Sequence, residues 1–290
     1  MRYNFIVNPY AGRGRAIEVI GQLQDYMDKY DMEYRILYTE RRGHATELAQ
    51  SLVEEGVDNV ISVGGDGTLN EIVAGIGSYG DITLGIIPAG TGNDFIRSAG
   101  MELNPIKALE LIVRGRVGKI DLVDISGRLM LCFGNAGIDA KLVQIVNDSP
   151  KKTKSSYMKA LLKSIVHFDW YKYNISIDGS PKVYKEGLIV AVLGGRDIAS
   201  GIKICPPAKI DDGKMDIVFV GATKHKIGVL GLFASLLRGK ILLRKEVEHF
   251  VCESASIELI GHNTIDIDGE LIPGEVMNCK LLASAVKLYR

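Results

Sequence analysis

The chain has 290 residues, 47 % of them apolar, with 35 Lys plus Arg against 35 Asp plus Glu. This composition supports packed cores and excludes a disordered chain, and a net charge of zero excludes a nucleic-acid binder that works through a bulk positive field. The length predicts one large or two modest domains, since domains run to about 100–200 residues.

The first elements alternate strand and helix. Tyr3 to Val7 reads as a short apolar strand, followed by a glycine-containing loop from Asn8 to Gly14. Ile17, Ile20, Leu23, Met27 and Tyr30 then recur at helical spacing. Glu33–Tyr38 reads as a strand, Ala45 to Leu52 as a helix, Val60–Val63 as a strand, Leu69–Ile76 as a helix and Thr83–Ile87 as a strand. A last helix near Pro105–Val113 closes this half. Such alternation predicts right-handed crossovers and a mostly parallel sheet covered by helices.

The period changes near Lys119. Tyr171, Tyr173, Ile175 and Ile177 alternate with polar residues, the pattern of a half-buried strand. Further strands are expected at Leu188–Leu193, Met215–Val220, Ser256–Ile260, Thr264–Ile267 and Lys280–Leu288, with Asp178-Gly179 and Asp212-Gly213 as turns. Helices are expected near Tyr157–Phe168 and Lys226–Leu237. The expected organisation is an α/β domain over 1–120 and a β-sandwich over 121–290.

Cys132, Cys205, Cys252 and Cys279 are far apart and form no metal-ligand pair, so they read as buried reduced thiols of a cytosolic protein. His44, His167, His225, His249 and His262 have no partner on a helix face and read as surface or core residues. The opening MRYNFIVNPY has too short an apolar run for a signal peptide. No stretch reaches the roughly 20 apolar residues of a membrane span.

The chemistry concentrates in glycine-rich loops that follow strands. Gly64-Gly65-Asp66-Gly67-Thr68-Leu69-Asn70-Glu71 leaves one strand and opens a helix. Glycines let a backbone approach a ligand closely, and the free N–H groups of a helix start suit phosphate oxygens. Asp66 among phosphates makes sense as an organiser of Mg²⁺, which takes oxygen ligands. A plain βα turn is the competing reading. Pro88-Ala89-Gly90-Thr91-Gly92-Asn93-Asp94-Phe95 repeats the theme after the next strand, and Asn8-Pro9-Tyr10-Ala11-Gly12 and Thr39 lie at the ends of the first two. Several loops beyond the carboxyl ends of parallel strands point to one crevice. The sequence contains no G-x-x-x-x-G-K-S/T loop, no dinucleotide fingerprint and no nucleophile elbow.

At these loops the chain resembles the diacylglycerol kinase catalytic-domain family of bacterial lipid kinases, relatives of sphingosine kinases. The first loop is shared with NAD kinases and, more loosely, phosphofructokinases; the second is more specific. The likeness continues through Gly134 to Asp139 and Ile267-Asp268-Gly269-Glu270 and covers almost the whole chain. It implies a nucleotide domain of NAD kinase or phosphofructokinase type, a β-sandwich, and an active site between them. It implies ATP bound by Asn8, Pro9, Tyr10, Ala11, Gly12, Thr39, Gly64 to Asn70 and Thr91, with Asp66 and Asp94 near Mg²⁺ and Glu270 as general base. Sequence physics alone leaves Asp268-Gly269 equally readable as a hairpin turn with Glu270 solvated. The likeness also implies a structural Mg²⁺ held by the Asp212 side chain and the carbonyls of Lys209 and Lys214, where an ordinary Asp-Gly turn is the alternative.

The expected activity is phosphorylation of a lipid hydroxyl, with diacylglycerol the leading acceptor. The lipid would be met at the inner membrane face from the cytoplasm, and the family resemblance implies a dimer. Lys151, Lys152, Lys154, Lys159 and Lys163 among Tyr157, Met158, Leu161, Leu162 and Ile165 read as a basic amphipathic helix able to lie on anionic lipid. The apolar run inside Lys224–Lys245 reads as a surface helix packed on the sandwich. Two other functions compete: a soluble-metabolite kinase such as an NAD kinase, and a nucleotide-sensing module without turnover. Retention of Asp66, Asp94 and Glu270 argues against the second.

Overall fold

The computed structural model describes residues 1–78, 80–138 and 170–290. The predicted basic helix around Lys151 to Lys163 lies outside them, as does Asp139. Four strands, β1 (Tyr3–Val7), β2 (Tyr34–Tyr38), β3 (Asn59–Gly64) and β4 (Thr83–Pro88), alternate with α1 (Arg15–Lys29), α2 (His44–Glu54) and α3 (Asp66–Ile76), and two further helices follow, α4 (Asp94–Ser98) and α5 (Pro105–Val113). The strands are parallel in the order β2-β1-β3-β4. All of β1, β3 and β4 is buried, as expected of parallel strands covered on both faces. The order reverses between β1 and β3, which makes a switch point beyond their carboxyl ends.

Helix packing follows the helical period with one shift. In α1 the buried stripe is Ala16, Val19, Ile20, Leu23 and Met27, at spacings of three, one, three and four. Ile17 and Tyr30, expected on that stripe, face water, with Ile17 48 % exposed. Helix α5 starts where Asn104 Oδ1 accepts the N–H groups of Ile106 and Lys107, with Pro105 in the first turn.

The second half is antiparallel: β5 (Val117–Ile125), β6 (Arg128–Met130), β7 (Phe133–Gly137), β8 (Tyr171–Ile177), β9 (Val183–Leu193), the small β10 (Asp197–Ile198) and β11 (Ile202–Lys203), β12 (Met215–Gly221), α6 (Gly228–Leu237), β13 (Val247–Cys252), β14 (Ser254–Ile260), β15 (Thr264–Ile267), β16 (Glu270–Pro273) and β17 (Val276–Tyr289). Strand β9 branches the sheet. One edge pairs with β8 and then β7, and the other pairs with β12. Tyr173, Ile175, Val190, Val192, Ile217 and Met277 fill the core between these strands. Tyr173 and Ile175 point inward while Lys172 faces water, as the alternation predicts.

Strand β17 belongs to both halves. It pairs antiparallel with β5 and β14, and its Lys287 and Leu288 pair in parallel with Thr83 and Leu84 of β4. The helical sheet is thus extended by the strand that lies latest in sequence. The four cysteines are all free and buried. Among the described residues no helix is long and apolar enough to cross a membrane.

Candidate active site

The loops after β1, β2, β3 and β4 meet in one cleft of about 420 Å³. Its lining includes Asn8, Tyr10, Ala11, Gly12, Thr39, Gly65, Gly67, Thr68 and Thr91 from the sequence-predicted set. Pro9, Gly64, Asp66, Leu69 and Asn70 do not line it, nor do Asp94 and Glu270. Leu69 is buried in the core with Ile72 and Val73, because the period of α3 turns positions 69, 72 and 73 toward the sheet.

Hydrogen bonds tie the loops together. Asn8 Nδ2 donates to Thr68 Oγ1 at 3.1 Å, and Asn8 N donates to the Val63 carbonyl. Ala89 N and Gly90 N both donate to the carbonyl of Gly64. The two glycine-rich loops touch backbone to backbone: a Cβ on Gly90 would fall 2.4 Å from the Gly65 Cα. Glycine is required at Gly12 as well, where φ is +59° and a Cβ would lie 2.2 Å from the Ala89 carbonyl oxygen.

Asp66 and Asp94 converge on Gly92. A Cβ there would lie 3.0 Å from Asp66 Oδ2 and 3.4 Å from Asp94 Oδ2. Asp66 Oδ1 accepts the Phe95 N–H at 3.2 Å, leaving Oδ2 without a hydrogen bond among the described residues. Both oxygens of Asp94 are engaged, by Ser200 N at 3.1 Å and Gly201 N at 2.9 Å. Burial pushes the Asp94 carboxyl above its ordinary range; the two N–H donors oppose that rise and the Asp66 charge adds to it. The geometry therefore separates roles that the sequence left joined. Asp66 has an oxygen to offer a cation, while Asp94 clamps the 200–201 turn. Asn93 adds a buried carboxamide oxygen with no hydrogen-bond partner, in the left-handed region at the centre of the same loop. A spare carboxylate oxygen such as Asp66 Oδ2 is the donor chemistry that Mg²⁺ takes.

Glu270 comes from the sandwich side. It stands at the start of β16, directly after the Asp268-Gly269 turn of a two-residue hairpin. The hairpin expected there is present, with the Glu270 side chain 45 % exposed. Glu270 pairs with Arg42 through Oε1, and its Oε2 lies 3.4 Å from Arg128 Nη1. Arg42 and Arg41 line the cleft. Sequence reasoning missed both, although they follow Thr39 at the same strand end, which was the signal available. It also missed Asp268. That carboxylate accepts N–H groups from Leu131, Cys132 and Phe133 at 2.9–3.0 Å and so fixes the hairpin to β7. Burial pushes it up to about 6 despite the three donors. Glu71, next to the first loop, is structural: its carboxylate accepts from Gly43 N and Ala45 N at the start of α2.

The Lys209–Lys214 turn lies elsewhere, on the surface. Asp211 pairs with Arg290 at 2.6 Å and the Lys214 ammonium pairs with Glu253, so neither competes for the Asp212 carboxylate. The turn is pinned by buried Asp121, which accepts from Gly213 N and Ser284 N and donates its own N–H to the Ile210 carbonyl. One carboxylate with neighbouring carbonyls, those of Lys209 and Lys214, suits Mg²⁺.

Comparison with known proteins agrees with this layout. Residues 2–125 match the diacylglycerol kinase catalytic domain, and residues 134–290 match the YegS C-terminal NAD kinase beta sandwich-like domain. A diacylglycerol kinase of Staphylococcus saprophyticus is 29 % identical over 96 % of this chain and 93 % of its own length. A diacylglycerol kinase structure from Bacillus anthracis superposes with a TM-score of 0.76 at 26 % identity, covering 99 % of this chain and 96 % of that one. An NAD kinase from Archaeoglobus fulgidus, solved with ATP, shares the fold with a TM-score of 0.55 at 10 % identity, over 100 % of this chain and 94 % of that one. The chain thus belongs to the family that joins a diacylglycerol kinase catalytic domain to a YegS-type β-sandwich.

Proposed function

We propose that the protein is an ATP- and Mg²⁺-dependent lipid kinase that phosphorylates a lipid hydroxyl, converting diacylglycerol to phosphatidic acid. The observation that supports this reading is the cleft where the loops after β1 to β4 meet, lined by Thr68, Arg41 and Arg42, with Glu270 of the sandwich tied to cleft-lining Arg42. Phosphoryl transfer needs the phosphates held, the acceptor hydroxyl aligned and its proton accepted. The loop N–H groups, Thr68, Arg41 and Arg42 hold phosphate; Asp66 would offer a carboxylate oxygen to Mg²⁺, which when bound neutralises charge on the phosphates. Glu270 accepts the proton from the lipid hydroxyl. Asp212, Lys209 and Lys214 hold a second, structural Mg²⁺ away from the cleft. A radiolabelled-ATP assay over a panel of dispersed lipid alcohols, with NAD included, tests the reading. Label in phosphatidic acid supports it. Label in NAD alone would replace it with a soluble-metabolite kinase.

The membrane contact of this reading rests on α6. Among the described residues the sequence expectation of a simply packed helix is only half met. Val229 and Leu232 of α6 are buried, but Leu237 at its end is exposed, as are Ile227 just before it (67 %) and Leu243 beyond it (80 %). From Thr223 to Lys245 there is no acidic residue, and Lys224, Arg238, Lys240 and Lys245 lie exposed around the apolar face. An apolar face with basic flanks fits an anionic bilayer surface. Burying a leucine-sized side chain contributes about 1.5–3 kcal/mol. An Ile227→Ser/Leu243→Ser double variant is therefore expected to bind vesicles of anionic phospholipid at least about tenfold more weakly, read by co-sedimentation, with unchanged phosphorylation of a short-chain soluble acceptor. Equal vesicle binding would exclude the 227–243 segment as the contact.

A further inference from the structure

Three side chains outside the cleft meet in an arrangement the phosphotransfer reading does not use. Cys205 lies in the turn after β11, Asp216 near the start of β12 and His249 in β13. In the β12–β13 register His249 stands opposite Val218, so Asp216 is its diagonal neighbour on the same face. Cys205 Sγ is 3.6 Å from Asp216 Oδ1 and 3.5 Å from His249 Nε2, and His249 Nε2 is 2.5 Å from Asp216 Oδ1. Cys205 and Asp216 are buried, and the His249 side chain is 25 % exposed. The histidine read from sequence as a lone residue therefore has two partners, from segments too distant for any local motif to pair them.

We propose that Cys205, Asp216 and His249 form a binding site for a borderline transition-metal ion of the Zn²⁺ class, separate from both Mg²⁺ positions. The distances carry the argument. A tetrahedral ion with bonds of about 2.3 Å to sulfur and about 2.0–2.1 Å to nitrogen or oxygen sets the sulfur about 3.6 Å from each of the other two ligands. Both sulfur edges already have that length. Only the nitrogen–oxygen edge, now a hydrogen bond, must open, by roughly 0.8 Å. A thiolate, an imidazole and a carboxylate together select Zn²⁺-like ions over Mg²⁺, which takes oxygen alone. The solvent-facing side at His249 leaves the fourth position to water. A catalytic thiolate is the main competitor, and the burial of Cys205 disfavours it. A bound ion would staple the 205–214 turn, which carries Asp212, to β12 and β13.

The test uses the full chain stripped of metal with a chelator and titrated with Co²⁺ as a Zn²⁺ surrogate. The expected result is one equivalent bound, with a sulfur-to-cobalt charge-transfer band that Zn²⁺ bleaches and excess Mg²⁺ does not. His249→Gln and Cys205→Ser should each lower affinity by more than the roughly 10–100-fold that loss of an outer-shell partner causes, while Cys279→Ser keeps the band. If Cys205→Ser fails to fold, His249→Gln, altered at a partly exposed position, decides. No band in the wild type, or an equal band in folded His249→Gln, would overturn the proposal. Neither readout involves phosphoryl transfer, so the outcome is independent of the kinase reading.

Discussion

Glu270→Gln is expected to lower turnover with diacylglycerol by about 10²–10⁴-fold, the range for loss of a general base, while a non-hydrolysable ATP analogue still binds. Glutamine keeps the size of the side chain and can still accept from Arg42 and Arg128, so the hairpin held by Asp268 stays in place. It cannot take the proton of the acceptor hydroxyl. The alternative is that Glu270 serves only to position Arg42 against the phosphates. In that case the variant should raise KM for ATP and leave kcat nearly unchanged, and Arg42→Ala should reproduce it. Steady-state kinetics with ATP varied separates the two: a fall in kcat at constant KM assigns the base, and a KM effect alone removes it.

Asp66→Asn is expected to lower Mg²⁺-dependent turnover by about 10²–10³-fold, the size seen when one preorganised electrostatic partner of a transition state is lost. Asparagine can still accept the Phe95 N–H through its carbonyl oxygen, so the start of α4 is preserved. What disappears is the charge of the oxygen facing Gly92. The loss should shrink when Mn²⁺ replaces Mg²⁺ if the residue acts through a cation. Asp94→Asn acts differently, because both its oxygens are bound by the 200–201 turn. It should loosen that turn and lower melting temperature as well as rate, whereas Asp66→Asn should leave melting nearly unchanged. Matching thermal profiles and rates for the two variants would refute the division of roles.

The parts of this site that were legible in the sequence are those whose signal is local. A glycine-rich turn between an apolar strand and a helix is written in eight consecutive residues, and Asn8, Gly65, Thr68 and Thr91 reach one cleft because parallel strands end on one edge. Among the strands missed were β5, β7 and β13. Strand β7 carries two glycines in five residues, and β13 carries Glu248 and His249, so neither shows a clean alternation. Contacts between distant segments left no trace. The Arg42–Glu270 pair spans both halves, and the three N–H groups gathered by Asp268 come from the connection into β7, more than a hundred positions earlier. The roles of Asp66 and Asp94 differ only through which oxygen is already engaged, which no spacing encodes.

Strand β17 also bears on how the molecule is made. Until it is synthesised, β4 has one unpaired edge and β5 lacks its long antiparallel partner. The second glycine-rich loop hangs directly from β4. Pairings so remote in sequence close large loops and slow folding. The α/β half therefore leaves the ribosome with an open strand edge, a surface prone to pairing with other chains. The strand that carries the second glycine-rich loop is thus completed along one edge only by pairing with β17, so topology couples the two halves.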